Sequence, residues 1–291
     1  MPTPTPAELL EQLGAEQIWD VREKALISLQ RIACDEQKAR AFFTSPVLRA
    51  LFRPIERQLK DLRSAILREA CKLVSQLACS LGDDFHSLAR MLIPTMVEIA
   101  HLANKVMSTM MDDCCCTVFR HTVVRSAVPH VCEVLTKSKS KDARESCIQF
   151  IRIMLNVWEA HCFEQFVPEL EDALRHCLED ASAAARITAR QAYWSFHVHW
   201  PQRAARMLRR VDARTQKLVE STTEEEKLAR LLQSTVAFYC YLSIWRMACV
   251  LLHKFMRNRF CIASSLNVGV REFIGIQAQC SGAGRRGPPV P

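Results

Sequence analysis

The chain has 291 residues, of which 49% are apolar and 24% charged, a balance suited to a soluble globular chain able to bury a large core. Its formal net charge is +8, but residues 225–291 hold nine Lys/Arg against three Asp/Glu, so the first 224 residues sum to only +2, which excludes a broad nucleic-acid face there. Seven glycines and the lack of long apolar–polar alternation exclude an all-β chain and set the class as all-α.

Met1 to Pro6 alternates Pro and Thr and predicts a disordered lead-in, with a short helix over Ala7–Leu13. From Glu16, the spacing of Ile18, Val21, Ala25, Leu26, Leu29 and Ile32 predicts a helix to about Ala33. Glu36 to Phe43 reads as a short helix or turn. Val47–Leu59 is the next helix, bent or divided at Pro54. Its partner runs from the stretch Lys60-Asp61-Leu62-Arg63 to about Ser80, where Gly82 stops it. A third pair begins near Asp84, contains Pro94, turns at Asn104-Lys105 and ends near His121. The fourth runs from Val123, with Pro129, turns at Lys137–Lys141 and reaches about Ala160. The fifth spans Phe163–Leu178, with Pro168, turns at Asp180-Ala181-Ser182 and ends near His199. Pro201 then opens a mainly polar helix to about Val219, a cap for the array.

The pairs repeat a motif. Arg22, Arg63, Arg144 and Arg186 each precede a similar helical run, at separations of 41, 81 and 42 residues, and Asn104-Lys105 falls where the missing copy belongs. A period of about 40 to 47 residues in helical sequence marks HEAT or armadillo units. The predicted architecture is an α-solenoid of about five to six HEAT repeats. Asp20, Asp61 and Asp142 stand where they would accept hydrogen bonds from free N–H groups at helix starts. The arginine two residues on is expected to bond a neighbouring unit's carboxylate or carbonyls.

Fourteen cysteines without a signal peptide or paired spacings favour a reduced, cytosolic compartment. Cys34, Cys71, Cys79, Cys132, Cys147 and Cys177 read as small core residues. Cys114-Cys115-Cys116 are adjacent on a helix and point about 100° apart, a poor zinc site. No metal or other cofactor is expected. Neither a Gly-rich phosphate loop nor a nucleophile elbow occurs, so neither catalysis nor a small-molecule substrate is expected.

Turns inside successive units align along one edge. That edge would carry Trp19, Lys60, Lys105, Lys137, Lys139, Lys141 and Arg186, an aromatic anchor beside a row of cations suited to an acidic protein surface. The alternative stands beside it: solvated turn lysines, with Trp19 packed into the first repeat.

Several segments resemble the second TOG domain of the CLASP (Orbit/MAST) microtubule-associated proteins. They are Lys60-Asp61-Leu62-Arg63-Ser64 through Arg68-Glu69-Ala70-Cys71, and Ala185-Arg186-Ile187 through Ala189-Arg190, continuing as Tyr193-Trp194-Ser195-Phe196-His197. Trp19 with Arg22 and Ala25-Leu26, Arg120-His121-Thr122, and Ser138-Lys139-Ser140 through Arg144 agree. The resemblance covers about residues 16–220. It implies a paddle whose turn edge engages tubulin, in the cytoplasm and on the microtubule cytoskeleton, including spindle and kinetochore, where the family suppresses catastrophe and promotes rescue. The tubulin contacts it implies are Trp19, Lys60, Lys105, Lys139, Lys141 and Arg186. Arg63, Arg144 and Arg190 are implied too, with a stitching role as their alternative. A generic HEAT scaffold for another acidic protein is the competing reading. Asp112-Asp113-Cys114-Cys115-Cys116 departs from a mostly apolar family run ending in Arg, and no Ser-x-Ile-Pro motif occurs. The family's further TOG domains and its C-terminal domain are absent, as in a short relative, a fragment or a truncated product.

Residues 221–291 fall outside the resemblance. Leu231–Leu252 is apolar but interrupted by Gln233 and Arg246, and a central Arg costs a few kcal/mol in a bilayer. A membrane contact through 231–259 is therefore the weaker reading. A helix packed on the solenoid, or a tail read from non-coding sequence, is the other. Residues 281–291 read as disordered.

Overall fold

The computed structural model describes residues 4–14, 18–100 and 105–222. The expected apolar helix 231–252 and the end 281–291 lie outside them, as does Asn104. Among the described residues there are helices and no strands. They are α1 (Pro6–Gly14), α2 (Trp19–Ala33), α3 (Glu36–Phe42), α4 (Ser45–Leu59), α5 (Ser64–Leu81), α6 (His86–Ile99) and α7 (Lys105–His121). There follow α8 (Ala127–Lys137), α9 (Lys141–Val157), α10 (Val167–Leu178), α11 (Ala183–His199), α12 (Pro201–Leu208) and α13 (213–222).

Two layers follow from the apolar stripes. α1, α4, α6, α8, α10 and α12 pack each on the next. α2, α5, α7, α9 and α11 form the second layer, each also packed on its first-layer partner. A single amphipathic pair cannot cover its own stripe, and stacking does so. The continuous core includes Leu26, Leu67, Leu92, Phe119, Phe150, Phe163 and Phe196. The described residues thus form an α-solenoid of six helix pairs, with α3 inserted after the first.

Every first-layer helix contains a proline, at Pro6, Pro54, Pro94, Pro129, Pro168 and Pro201, and no second-layer helix does. Pro54 and Pro94 sit inside α4 and α6 without dividing them. Pro6, Pro168 and Pro201 occupy the opening positions of their helices, where the missing N–H is not needed. α5 ends at Gly82, the one described residue with a left-handed φ, 56°.

Four expectations change. The cap of α9 is Ser140 and that of α11 is Ser182, each accepting from the N–H three residues on, while Asp142 lies within its helix and Asp20 pairs with Lys24. Only Asp61 keeps the predicted role, accepting from the Arg63 N–H at 2.8 Å. The polar helix after Pro201 is two helices, because the Asp212 carboxylate accepts from the N–H groups of Arg214 and Thr215 and starts a new one. Cys34 and Cys79 are exposed, whereas Cys71, Cys132, Cys147 and Cys177 are buried as expected. The fourth and fifth pairs begin later than predicted, at Ala127 and Val167, since 123–126 is non-helical and 160–166 forms two short 3-10 turns.

Candidate functional site: the turn edge

In each pair the first helix runs toward one edge and the second leaves it, so residue 18, residues 60–63, the start of α7 at Lys105, and residues 138–141 and 179–182 share that edge. Two arginines tie neighbouring turns together. Arg22, 4% exposed, donates from Nη1 to Asp61 Oδ2 at 2.9 Å and to Gln58 Oε1 at 2.8 Å. Gln58 in turn donates to the Leu13 carbonyl, which completes the link between first and second pairs. Arg144 donates from Nε and Nη2 to both oxygens of Asp180, at 2.6 and 3.1 Å, and from Nη1 to the carbonyls of Ser138 and Lys139. A guanidinium fork on a carboxylate fixes both distance and orientation. Burial opposes ionisation of Asp180, but Arg144 and the Ser182 N–H outweigh it and hold its carboxyl below the usual range. Asp61 behaves alike: burial raises it, and the Arg63 N–H with Arg22 lowers it further.

Trp19 is the first residue of α2 and is 46% exposed, with Ile18 exposed beside it. It is not packed away in the first repeat. Lys60 closes α4, half-exposed, its Nζ 2.9 Å from Glu56 Oε1. Lys105 opens α7 and is exposed. Lys139 and Lys141 are exposed, with Lys141 3.5 Å from Glu145. Arg186 is half-buried and donates from Nη1 to the carbonyls of Asp180 and Ala181, so it braces its own turn. Arg63 is exposed, with a 3.4 Å contact to Asp61. Arg190 reaches back to Thr222 Oγ1 at 3.2 Å and ties α11 to α13. The structure therefore brings Trp19, Lys60, Arg63, Lys105, Lys139 and Lys141 to the edge with their side chains open. It engages Arg144, Arg186 and Arg190 in internal bonds.

Sequence reasoning passed over three apolar side chains on the same edge: Leu62 (91% exposed), Val106 and Ile187. The signal was there, since Leu62 is an apolar residue framed by Asp61 and Arg63 in a turn otherwise polar.

Behind the edge, a groove of 480 Å³ lies between α7 and α9, lined by Lys105, Asp112, Asp113, Arg120, Asp142 and Glu145 among others. Burial lifts the Asp112 carboxyl to about 6, and the negative charges of Asp113 and Asp142 add to it against a hydrogen bond from Ser146. Its Oδ1 is buried without a partner. Cys114 and Cys115 point into the core, which accommodates the departure from an apolar run. Burial pushes the Cys132 and Cys177 thiols up to about 12, so they behave as core residues. Among the described residues no group of three or more His, Cys, Asp or Glu is arranged to hold a metal ion, and no helix is long and apolar enough to cross a membrane.

Comparison with known proteins now bears on this geometry. CLIP-associating protein 1-B of Xenopus laevis is 32% identical over 174 residues, 60% of this chain and 12% of that protein, so the chain spans about an eighth of this curated relative. The MAST/Orbit N-terminal domain aligns over 78% of this chain and all of its own, with a TM-score of 0.59 and 17% identity. A structure of the TOG-domain arrays of microtubule polymerases, which recruit and assemble tubulin, aligns over 77% of this chain and 48% of its own, at a TM-score of 0.60 and 15% identity. These two likenesses establish a TOG-type helical paddle as the fold. The family model described as CLASP N terminal matches residues 5–220, nearly the whole two-layered array, and the chain belongs to that family.

Proposed function

We propose that the turn edge binds tubulin and that the chain regulates microtubule dynamics through it. The observation that carries this reading is Trp19, standing open on the same edge as Lys60, Lys105, Lys139 and Lys141. Exposed lysines steer and hold an acidic surface, while an indole and the neighbouring Leu62 supply apolar area to bury. Covering a side chain as exposed as Leu62 contributes about 1.5–3 kcal/mol. The names and folds of the relatives support tubulin as the acidic partner in preference to an unrelated one. Suppression of catastrophe and promotion of rescue, at the spindle and kinetochore, follow if the edge prefers one curvature of tubulin, since a ligand shifts an equilibrium only by its differential affinity.

The test is co-elution of the chain with tubulin on size exclusion. The double variant Trp19→Glu/Lys105→Ala is expected to lose at least tenfold in affinity, and Lys72→Ala, on the body of α5, to lose none. Unchanged binding by the double variant would remove the edge from the interface. For the cellular part, the labelled chain is expected on mitotic microtubules and the double variant is expected to be diffuse.

A further inference from the structure

Several exposed lysines of the array pair with a carboxylate about one turn away. Lys24 pairs with Asp20, Lys38 with Asp35, Lys72 with Glu69, Lys137 with Glu133 and Lys141 with Glu145. Residues 201–217 contain Arg203, Arg206, Arg209, Arg210, Arg214 and Lys217 against one acid, Asp212, whose carboxylate is occupied by backbone N–H groups. Arg206, on α12, and Arg210, in the turn that follows it, are both exposed. Among the described residues neither side chain has a carboxylate partner. A polar cap suffices to end a solenoid, and one of a single sign is more than capping requires.

These arginines border a groove between α10 and α12 of 190 Å³, lined by Glu171, Asp172, Arg175, Arg203, Arg206, Met207 and Arg210. Two of its four arginines are neutralised inside it, Arg203 by Glu171 at 3.1 Å and Arg175 by Asp172 at 3.5 Å. Among the described residues Arg206 and Arg210 make no ion pair there, so their guanidinium donors face the groove unpaired. The groove lies in the proline-bearing layer, away from Trp19 at the first turn.

We propose that this groove binds an extended acidic peptide. Side chains on one face of an extended strand recur about every 6.6–6.8 Å, so one face of an acidic peptide presents carboxylates in succession. Arg206 and Arg210 border the same groove, so successive carboxylates on that face can meet both. Each guanidinium can take a carboxylate with two parallel bonds. A narrow cleft with acid walls on the α10 side favours a thin, flexible anion that reaches Arg206 and Arg210 over the stiff cylinder of a nucleic-acid duplex. The proposal does not depend on what the turn edge binds.

The full chain is titrated into a fluorescein-labelled decaglutamate peptide, with anisotropy as the readout. Arg206→Glu/Arg210→Glu is expected to weaken binding at least tenfold with unchanged thermal unfolding, both side chains being exposed. The charge-matched control Arg257→Glu/Arg259→Glu, and the edge variant Trp19→Glu/Lys105→Ala, are expected to bind within twofold of the parent. Raising the salt concentration is expected to weaken the parent more steeply than the α12 variant. Equal losses in the α12 and control variants would reduce the effect to net charge and overturn the site. So would a parent that binds no peptide at low salt. Tighter binding of a ten-base-pair DNA duplex, lost in the same α12 variant, would overturn the assignment to a peptide.

Discussion

Arg144 and Asp180 do for the fourth and fifth turns what Arg22 and Asp61 do for the first two. Removing one partner strands the other in a nearly dry site, with Asp180 side chain only 2% exposed. Arg144→Ala is expected to cost about 3 kcal/mol in urea unfolding at pH 7. Asp180 has a lowered folded value, so its stabilisation is full above about pH 4 and is lost as the pH falls through that value. The gap between parent and variant should therefore close on acidification below pH 4. Asp112 has the opposite sign. Its carboxyl stays protonated up to about pH 6 when folded but ionises near 4 when unfolded, so the fold weakens as the pH rises from 4 to 6. Asp112→Asn is expected to stabilise by about 1–2 kcal/mol at pH 7.5, after allowance for solvent in the groove, and to change little at pH 4. Equal effects at the two pH values would count against this. The stitching arginines were legible as a repeat, because a residue recurring once per unit builds the stack. Which of them stitched was not, since Arg63 and Arg186 turn back on their own turns and only the packing decides that.

Helix existence was legible for the stacked pairs up to α11, because each stripe of apolar residues at spacings of three and four must be covered. Helix starts were not, because Ser140 and Ser182 compete with nearby aspartates for the same N–H groups and a serine at the cap position reaches them first. The stop of α5 was legible from Gly82. Its φ of 56° with ψ of −125° is a conformation that only glycine adopts freely. An added Cβ would meet nothing closer than the His121 carbonyl at 3.8 Å, so any cost is backbone strain and not a clash. The same residue's carbonyl accepts from Thr122, and Asp83 beside it accepts from the Val123 N–H, so the strained turn also ties the end of the second pair to the end of the third. Gly82→Ala is expected to destabilise by about 1–3 kcal/mol, read by urea unfolding. A loss below about 0.5 kcal/mol would mean that the turn relaxes.

The edge itself was legible in advance, because a solenoid aligns its turns whatever their sequence, and Trp19 with Lys60, Lys105, Lys139 and Lys141 could be placed from the period alone. Leu62 was not, because an apolar residue in the pattern reads as core until the turn is seen to hold it outward. One asymmetry of the fold has a mechanical corollary. A ring nitrogen cannot donate, so Pro54 and Pro94 each leave a helical carbonyl without its usual rung, while α5, α7, α9 and α11 keep theirs. The proline-bearing sheet of helices is the compliant leaf of a laminate, and the unbroken one its stiff backing. Flexing of the array is expected to fall on α4 and α6 before α5 or α7, as faster amide hydrogen exchange next to Pro54 and Pro94 would show.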